Sequence, residues 1–169
     1  MKMREIITFK ETGKSYYKDG EILENVETGE KFILKFGLLH PAYLSEEDIQ
    51  EIAQDLKETI DNGLEDELKT LGLTTLTTYQ DLRLRYLQMT DIDQYIEIGL
   101  TDSVALDLKR TQEMINDFQK TVTPQMMKKL GVTMQMKLED ELKYNQEMNY
   151  IQMVIEEEIL KNIIERKAV

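Results

Sequence analysis

The spacing of the apolar residues changes near Leu44, and this change limits the possible folds more than any other feature. Before it, residues 4–37 hold three glycine-containing turns, "ETGK", "KDGE" and "ETGE", between short and partly alternating runs. After it, apolar residues recur every three to four positions, as on one face of a helix. Glycine permits the positive φ angles of tight hairpin turns. The sequence therefore predicts an α+β fold, predominantly helical, with a small N-terminal antiparallel β lobe.

The β lobe is predicted to contain three or four short strands. The clearest strand is "KFILKF", in which alternate residues from Phe32 to Phe36 are apolar and point to one face. The lobe is expected to close at "HPAY", because the residue before Pro41 disfavours helix. Two domains are predicted on this basis, a β-rich lobe at residues 1–40 and a helical domain at residues 41–169.

The first helix is predicted to begin after Ser45. Ser45 is a suitable N-cap, and Asp48 follows it at the capping-box position. Gly63 is expected to end this helix in a left-handed conformation, and a short helix is expected at residues 64–71. The apolar face of the first helix consists of Ile49, Ile52, Ala53, Leu56 and Ile60.

The middle of the chain is predicted to add further helices. Residues 78–89 fit either a helix or a strand, and residues 101–122 fit a helix. Thr123 and Pro124 are a typical N-cap and first-turn pair, so a separate short helix is expected to follow, up to Gly131.

The last helix is predicted to run from Thr133, as its N-cap, to about Arg166. With it, the helical domain contains five or six helices and ends in a long C-terminal helix. Six of the ten methionines fall between Met126 and Met153. Methionine fills irregular cores and is also common at adaptable binding surfaces, and both interpretations stay open for this segment.

Few residues suited to catalysis are present. The chain has no cysteine and one histidine, His40, which excludes disulfides, thiol nucleophiles and Cys- or His-rich metal sites. No P-loop, G-x-G-x-x-G, G-x-S-x-G or H-E-x-x-H motif occurs. Asp91 and Asp93 offer oxygen ligands for a hard cation, but such pairs arise by chance in any acidic chain. The prediction is a protein that is not an enzyme and has no cofactor and no metal site.

The charge and the hydropathy pattern limit the partners. The formal net charge of −12 has the same sign as nucleic acid and anionic lipid, so direct binding to either is not expected. No run approaches the roughly 18 apolar residues that span a membrane. The charged Arg4 and Glu5 stand where a signal peptide would be apolar. We therefore expect a cytoplasmic protein whose partners are other proteins or further copies of itself.

Acidic residues are concentrated in the first helix. Residues 45–70 hold ten carboxylates against two lysines. At about 100° per residue, four of them form a ridge opposite the apolar face, about 16 Å long. Such a row resembles a strand of phosphates and could occupy the basic channel of a nucleic-acid enzyme, but it is equally the solvated outer face of an amphipathic helix. The residues of this acidic ridge are Glu47, Glu51, Asp55 and Glu58.

The C-terminal helix is unusually apolar. From Met148 to Ile164, ten of 17 residues are large and apolar, whereas one buried face needs only about three in seven. The helix is therefore expected to pack on two sides, either as the central helix of the fold or with one side against another chain. The predicted interface residues are Met148, Ile151, Ile155, Glu156, Ile159 and Ile163.

Glu156 falls inside the apolar arc of this helix. Because burial disfavours a charged carboxylate, Glu156 must stay near water, pair with a cation or take up a proton. It either reaches solvent at the helix edge or meets a Lys or Arg across an interface. The sequence leaves both arrangements open.

Two functions are consistent with these features. The leading hypothesis is a non-enzymatic cytoplasmic interaction or assembly protein, which associates with itself or with a protein partner through its C-terminal helices. The second hypothesis is an acidic inhibitor from a phage or another mobile element, which blocks a nucleic-acid-binding enzyme by imitating the charge of DNA or RNA.

Overall fold

The computed structural model of the chain describes residues 4–167, which divide into two compact units. The first unit comprises residues 4–63 and 92–102, and the second comprises residues 64–91 and 103–167. Within residues 4–167, five strands are followed by six α-helices and a π-helical turn. The predicted α+β class, mostly helical and with a long C-terminal helix, is confirmed, although the β lobe has five strands where three or four were predicted.

The strands form one antiparallel sheet in which chain neighbours are also sheet neighbours. The predicted glycine turns connect the first strands, and Gly13, Gly20 and Gly29 all have positive φ angles. Between the second and third strands only two residues separate the paired Asp19 and Ile22, as a tight hairpin requires. The strands are β1 (Glu5–Thr8), β2 (Ser15–Asp19), β3 (Ile22–Asn25), β4 (Lys31–Lys35) and β5 (Leu38–Pro41).

The fifth strand exists because the chain turns at Phe36 and Gly37, whose φ angles are 56° and 72°. The predicted alternation from Phe32 therefore stops one residue early, and Phe36 lies in the turn rather than in the strand. β5 is at the edge of the sheet, where a proline such as Pro41 is tolerated because it need not donate to a neighbouring strand. His40 lies in β5 opposite Ile33.

The first helix, α1, runs without interruption from Glu46 to Thr70. Its capping box is as predicted, since Ser45 Oγ accepts a hydrogen bond from the Asp48 backbone N–H and Asp48 accepts one from the Ser45 N–H. The prediction that Gly63 ends the helix is wrong. The apolar spacing continues to Leu64, which is buried, and such packing outweighs the cost of about 1 kcal/mol for a glycine inside a helix.

The remaining helices are α2 (Thr78–Met89), α3 (Ile92–Thr101), α4 (Val104–Lys129), α5 (Met134–Glu139) and α6 (Glu141–Ile159), followed by the π-helical turn (Leu160–Ile164). The ambiguous segment 78–89 is thus a helix, and α3 was not predicted. The predicted helix start at Thr123 and Pro124 is wrong, because Pro124 lies inside α4. Its missing N–H removes one hydrogen bond, but Val122 and Met126 on either side of it pack against the core.

The final helix starts later than predicted. Thr133 caps only the short α5, and Asp140 then caps α6 through its side chain, which accepts from the Lys143 N–H at 3.0 Å. After Ile159 the hydrogen bonds widen to the π pattern. The wider turn places the adjacent Ile163 and Ile164 both on the buried side.

The core of the second unit is built mainly on one face of α6 and the π-helical turn. Four of the clustered methionines, Met126, Met127, Met136 and Met148, pack at the edge of this core, whereas Met134 and Met153 are exposed. Among residues 4–167, no helix is both long and apolar enough to cross a membrane. The buried core residues are Ile115, Val132, Ile151, Ile155, Ile159, Ile163 and Ile164.

Candidate functional site

The structure separates the six predicted interface residues into two groups. Four of them, Ile151, Ile155, Ile159 and Ile163, are buried within the second unit, where α2 and α4 supply the other side of the core. Met148 is half-buried at the edge of that core, and Glu156 is exposed. The four isoleucines are therefore not accessible to a partner, and any interface on this helix is formed by other side chains.

A second apolar face of the C-terminal helices is exposed. Leu138 and Leu142 have exposed fractions of 86% and 70%. On the helical wheel, Leu142, Met153 and Leu160 lie about 140–160° from the buried Ile155. The two-sided apolar character of the sequence thus corresponds to one core face and one face in solvent. We call the exposed set the outer apolar face, and its members are Leu138, Leu142, Met153 and Leu160.

Glu156 lies between two cavities of the second unit. One, of about 120 Å³, lies between α4 and α6, and its polar walls include Gln119 and Thr123. The other, of about 370 Å³, lies between α2 and α6, where Tyr79 and Leu82 face α6. We call these two cavities, which share Glu156 in their lining, the Glu156 cleft.

The polar groups of the Glu156 cleft are only weakly satisfied. Glu156 Oε1 accepts a long hydrogen bond from Gln152 Nε2 at 3.5 Å. Among residues 4–167, no Lys, Arg or His forms an ion pair with Glu156. Burial raises the pKa of the Tyr79 phenol, and the nearby charge of Glu156 raises this pKa further, whereas a hydrogen bond with Gln119 lowers it. The cleft therefore contains a carboxylate that forms no ion pair within the described residues, beside a neutral phenol.

The second unit also contains a buried charge cluster, which sequence reasoning missed. Arg83 is completely buried, and its Nε donates to Asp107 Oδ2 at 2.9 Å. Arg166 Nη2 donates to the other oxygen of Asp107, also at 2.9 Å. Arg83 Nη1 donates to the backbone carbonyls of Ile164 and Arg166, at 2.7 and 2.9 Å. These hydrogen bonds thus hold the end of the π-helical turn against α2 and α4, so the cluster stabilises the fold.

At Arg166, burial outweighs the attraction of the neighbouring carboxylate. Desolvation lowers the pKa of the Arg166 guanidinium, and the charge of Asp107 opposes that shift. Within the described chain, Arg83 Nη2 has no hydrogen-bond partner. The local sequence does not distinguish Arg83, between two leucines in "DLRLRY", from Arg85, which stands between Leu84 and Tyr86 and is exposed.

The acidic ridge of α1 lies in solvent as the helical wheel predicts. All four carboxylates, Glu47, Glu51, Asp55 and Glu58, are exposed, and in the described residues none of them forms an ion pair. The neighbouring Lys57 instead pairs with Asp61 at 2.5 Å, and Asp61 also accepts a hydrogen bond from the Tyr95 hydroxyl at 2.6 Å. The charge of the ridge is therefore not neutralised by the part of the first unit that the structure describes.

The two aspartates considered as cation ligands have different surroundings. Asp91 forms an ion pair with Lys167, and Asp93 is exposed in the first turn of α3. Within residues 4–167, no group of three or more His, Asp or Glu side chains is arranged to hold a metal ion.

Comparison with known proteins identifies a family. No curated protein and no solved structure matches the chain. The model of one family, described as transposon-encoded protein TnpV, matches residues 66–164, which is more than half of the chain. The matched segment runs from the last turns of α1 to the end of the π-helical turn, and it contains both the outer apolar face and Glu156. The chain therefore belongs to the family of transposon-encoded protein TnpV.

Proposed function

We propose that this protein is a non-enzymatic interaction or assembly protein of a mobile element, which associates with itself or with a protein partner through the outer apolar face. The observation that carries the proposal is the exposure of Leu138 and Leu142, at 86% and 70%. Exposed apolar area costs about 25 cal/mol per Å² relative to burial, which an association would recover. Clusters of exposed apolar side chains are enriched at interaction sites, and Leu138 and Leu142 are only four residues apart in the chain.

The packing of the second unit supports this proposal. The core is closed by the opposite face of α6, where Ile151, Ile155 and Ile159 are almost completely buried. Leu142 and Met153 contribute little to that core, because they point away from it, and Leu160 lies at the rim of the cavity between α2 and α6. Polar residues would serve equally well at these positions in an isolated unit, so their apolar character fits contact with another molecule.

Light scattering at micromolar concentration tests self-association. The wild-type protein is expected to have at least twice the monomer mass of 19.9 kDa. The double variant Leu138→Lys/Leu142→Lys is expected to be monomeric, because two charges would then lie in the contact. Thr121→Lys/Gln125→Lys is the matched control, since it adds the same charge at the same spacing on exposed positions of α4. A wild-type mass of 19.9 kDa would contradict self-association.

A second candidate function is favoured by the acidic ridge. Four exposed carboxylates with no ion pair in the described residues suit a protein that occupies the basic channel of a nucleic-acid-binding enzyme. Mobile elements depend on such enzymes for their own movement and meet those of the host. An inhibitor of this kind would bind a basic partner, and its affinity would fall steeply as salt is added.

The experiment for this candidate measures DNA cleavage by the transposase of the encoding element. The protein is added at increasing salt, and inhibition is compared with that by a variant in which the four ridge carboxylates are changed to Gln. Loss of inhibition in that variant, together with its loss at high salt, is expected. The control changes Glu113, Asp117, Glu141 and Glu157, four exposed carboxylates of the second unit, to Gln. Equal loss in both variants would indicate a general charge effect and not the ridge.

A further inference from the structure

The Glu156 cleft combines groups that suit one kind of ligand. The carboxylate stands between two cavities of about 120 and 370 Å³. Apolar walls at Leu82, Leu160 and Met148 surround it. Among residues 4–167, no basic side chain neutralises it. A liquid water molecule takes up roughly 30 Å³, so the larger cavity has room for a side chain.

Lysine and arginine side chains match these walls. Each has an aliphatic stem that packs on apolar surface and a charged head that remains hydrogen-bonded. A head placed on Glu156 would form a charge-assisted hydrogen bond, and a partner that excludes water would strengthen it. The pKa of the Tyr79 phenol lies above its ordinary value of 10.0, so the phenol is neutral at physiological pH and adds no second negative charge beside the carboxylate.

The charge around the cleft decides between a foreign partner and a second copy. Glu157 and Glu158 follow Glu156 directly, and the whole chain carries a net charge of −12. A second copy docked through the same face would therefore bring its own Glu156, Glu157 and Glu158 against these carboxylates. A basic segment meets opposite charge, and its apolar residues can rest on Leu160, which is 41% exposed at the rim. A free inorganic cation would leave this apolar rim uncovered.

We propose that the Glu156 cleft binds an amphipathic basic segment of a different protein, with one Lys or Arg head on Glu156 and neighbouring apolar side chains on Leu82 and Leu160. This inference rests on the proposed protein-binding function, since it names the chemistry of a partner. It uses the end of the outer apolar face at Leu160, and not Leu138 of α5 or Leu142 at the start of α6. It also differs from the ridge hypothesis, because the contact is partly apolar and lies in the second unit.

The test uses a short synthetic amphipathic helix of Leu and Lys, labelled with a fluorophore, at about 0.15 M salt, where distant charges are screened. Anisotropy is measured against the wild-type protein and two variants. Glu156→Gln is expected to weaken binding by about tenfold, because the ion pair is lost. Glu157→Gln removes the same charge one position away, outside the cleft lining, and is expected to change binding less than twofold.

Two further peptides separate charge from apolar contact. A peptide with Glu in place of Lys is expected not to bind, and one with Ser in place of Leu is expected to bind weakly and equally to all three proteins. The inference is overturned if the Leu–Lys peptide does not bind, or if Glu156→Gln and Glu157→Gln reduce its binding equally. Because Glu156 is exposed, circular dichroism is expected to show an unchanged fold in both variants.

Failure of this inference can be distinguished from failure of the proposed function. In one outcome, the wild-type protein is oligomeric, the variant Leu138→Lys/Leu142→Lys is monomeric, and Glu156→Gln binds the Leu–Lys peptide as well as the wild type does. Only the cleft assignment then fails. If the wild type is monomeric but the peptide discriminates Glu156→Gln from Glu157→Gln, the cleft assignment stands and self-association fails.

Discussion

The acidic ridge of α1 and Asp107 of α4 carry the same chemical group in opposite surroundings. The four ridge carboxylates are exposed, and among the residues that the structure describes none pairs with Lys, Arg or His. Asp107 is only 8% exposed and receives hydrogen bonds from Arg83 and Arg166. Its neighbours Val104, Ala105 and Leu108 are completely buried.

This difference in burial determines which carboxylates are available to bind a partner. An exposed charge contributes about 0–1 kcal/mol to stability, so the ridge can change without unfolding the protein. A buried carboxylate between two guanidiniums cannot change without loss of stability, because its removal leaves buried positive charge without compensation. We therefore expect substitutions in the cluster to act on folding and substitutions in the ridge to act on binding.

The largest effect is expected for Asp107→Asn. The neutral amide would remove the negative charge that Arg83 and Arg166 share, and its NH₂ group would face a guanidinium donor, so the free energy of unfolding should fall by about 3–5 kcal/mol. Urea denaturation measures this loss. Asp117→Asn, at an exposed position of the same helix, should change stability by less than about 0.5 kcal/mol. Similar losses in both variants would contradict the contrast between buried and exposed carboxylates.

A large effect is also expected at Ile159. Its side chain is completely buried in the core of the second unit, so Ile159→Ala should lower the free energy of unfolding by about 2–5 kcal/mol. The next residue, Leu160, is 41% exposed, and Leu160→Ala should cost no more than about 1 kcal/mol. Urea denaturation of the two variants compares the faces of one helix. A larger loss of stability for Leu160→Ala than for Ile159→Ala would mean that the core face and the outer face have been assigned the wrong way round.

The features that the sequence predicted correctly depend on neighbours in the chain. The glycine turns of the sheet, the Ser45–Asp48 capping box and the exposed ridge all follow from residues within about one helical turn of each other. The local signals at Gly63 and Pro124 were misleading because burial of apolar neighbours outweighs a modest local preference.

The features that sequence reasoning missed depend on residues far apart in the chain. Arg83 meets Asp107 across 24 residues and the Arg166 carbonyl across 83. No periodicity predicts such contacts, because they exist only once α2, α4 and the C-terminal segment have packed. The same reason explains α6: both of its faces are apolar, and only the packing of α2 and α4 decides that Ile155 is core and Met153 is exposed.

A small effect on stability is expected for the ridge. Changing Glu47, Glu51, Asp55 and Glu58 together to Gln should alter the free energy of unfolding by less than about 1 kcal/mol, because all four are exposed. Removing like charges along one helix face could even stabilise it slightly. Urea denaturation at low and high salt measures both effects. A loss of several kcal/mol would mean that the ridge makes contacts that folding requires, and the contrast with Asp107 would then disappear.

The smallest effect on stability is expected for Glu156→Leu. Glu156 is exposed and forms no ion pair among residues 4–167, so the free energy of unfolding should change by less than about 0.5 kcal/mol. Its position beside the outer apolar face makes binding the sensitive measurement. A leucine would extend the apolar surface and remove the carboxylate, so we expect altered association in light scattering and loss of preference for Lys over Glu in the amphipathic peptide. If stability, mass and peptide preference are all unchanged, Glu156 is only a solvated residue, and the distinction between structural and binding carboxylates does not extend to α6.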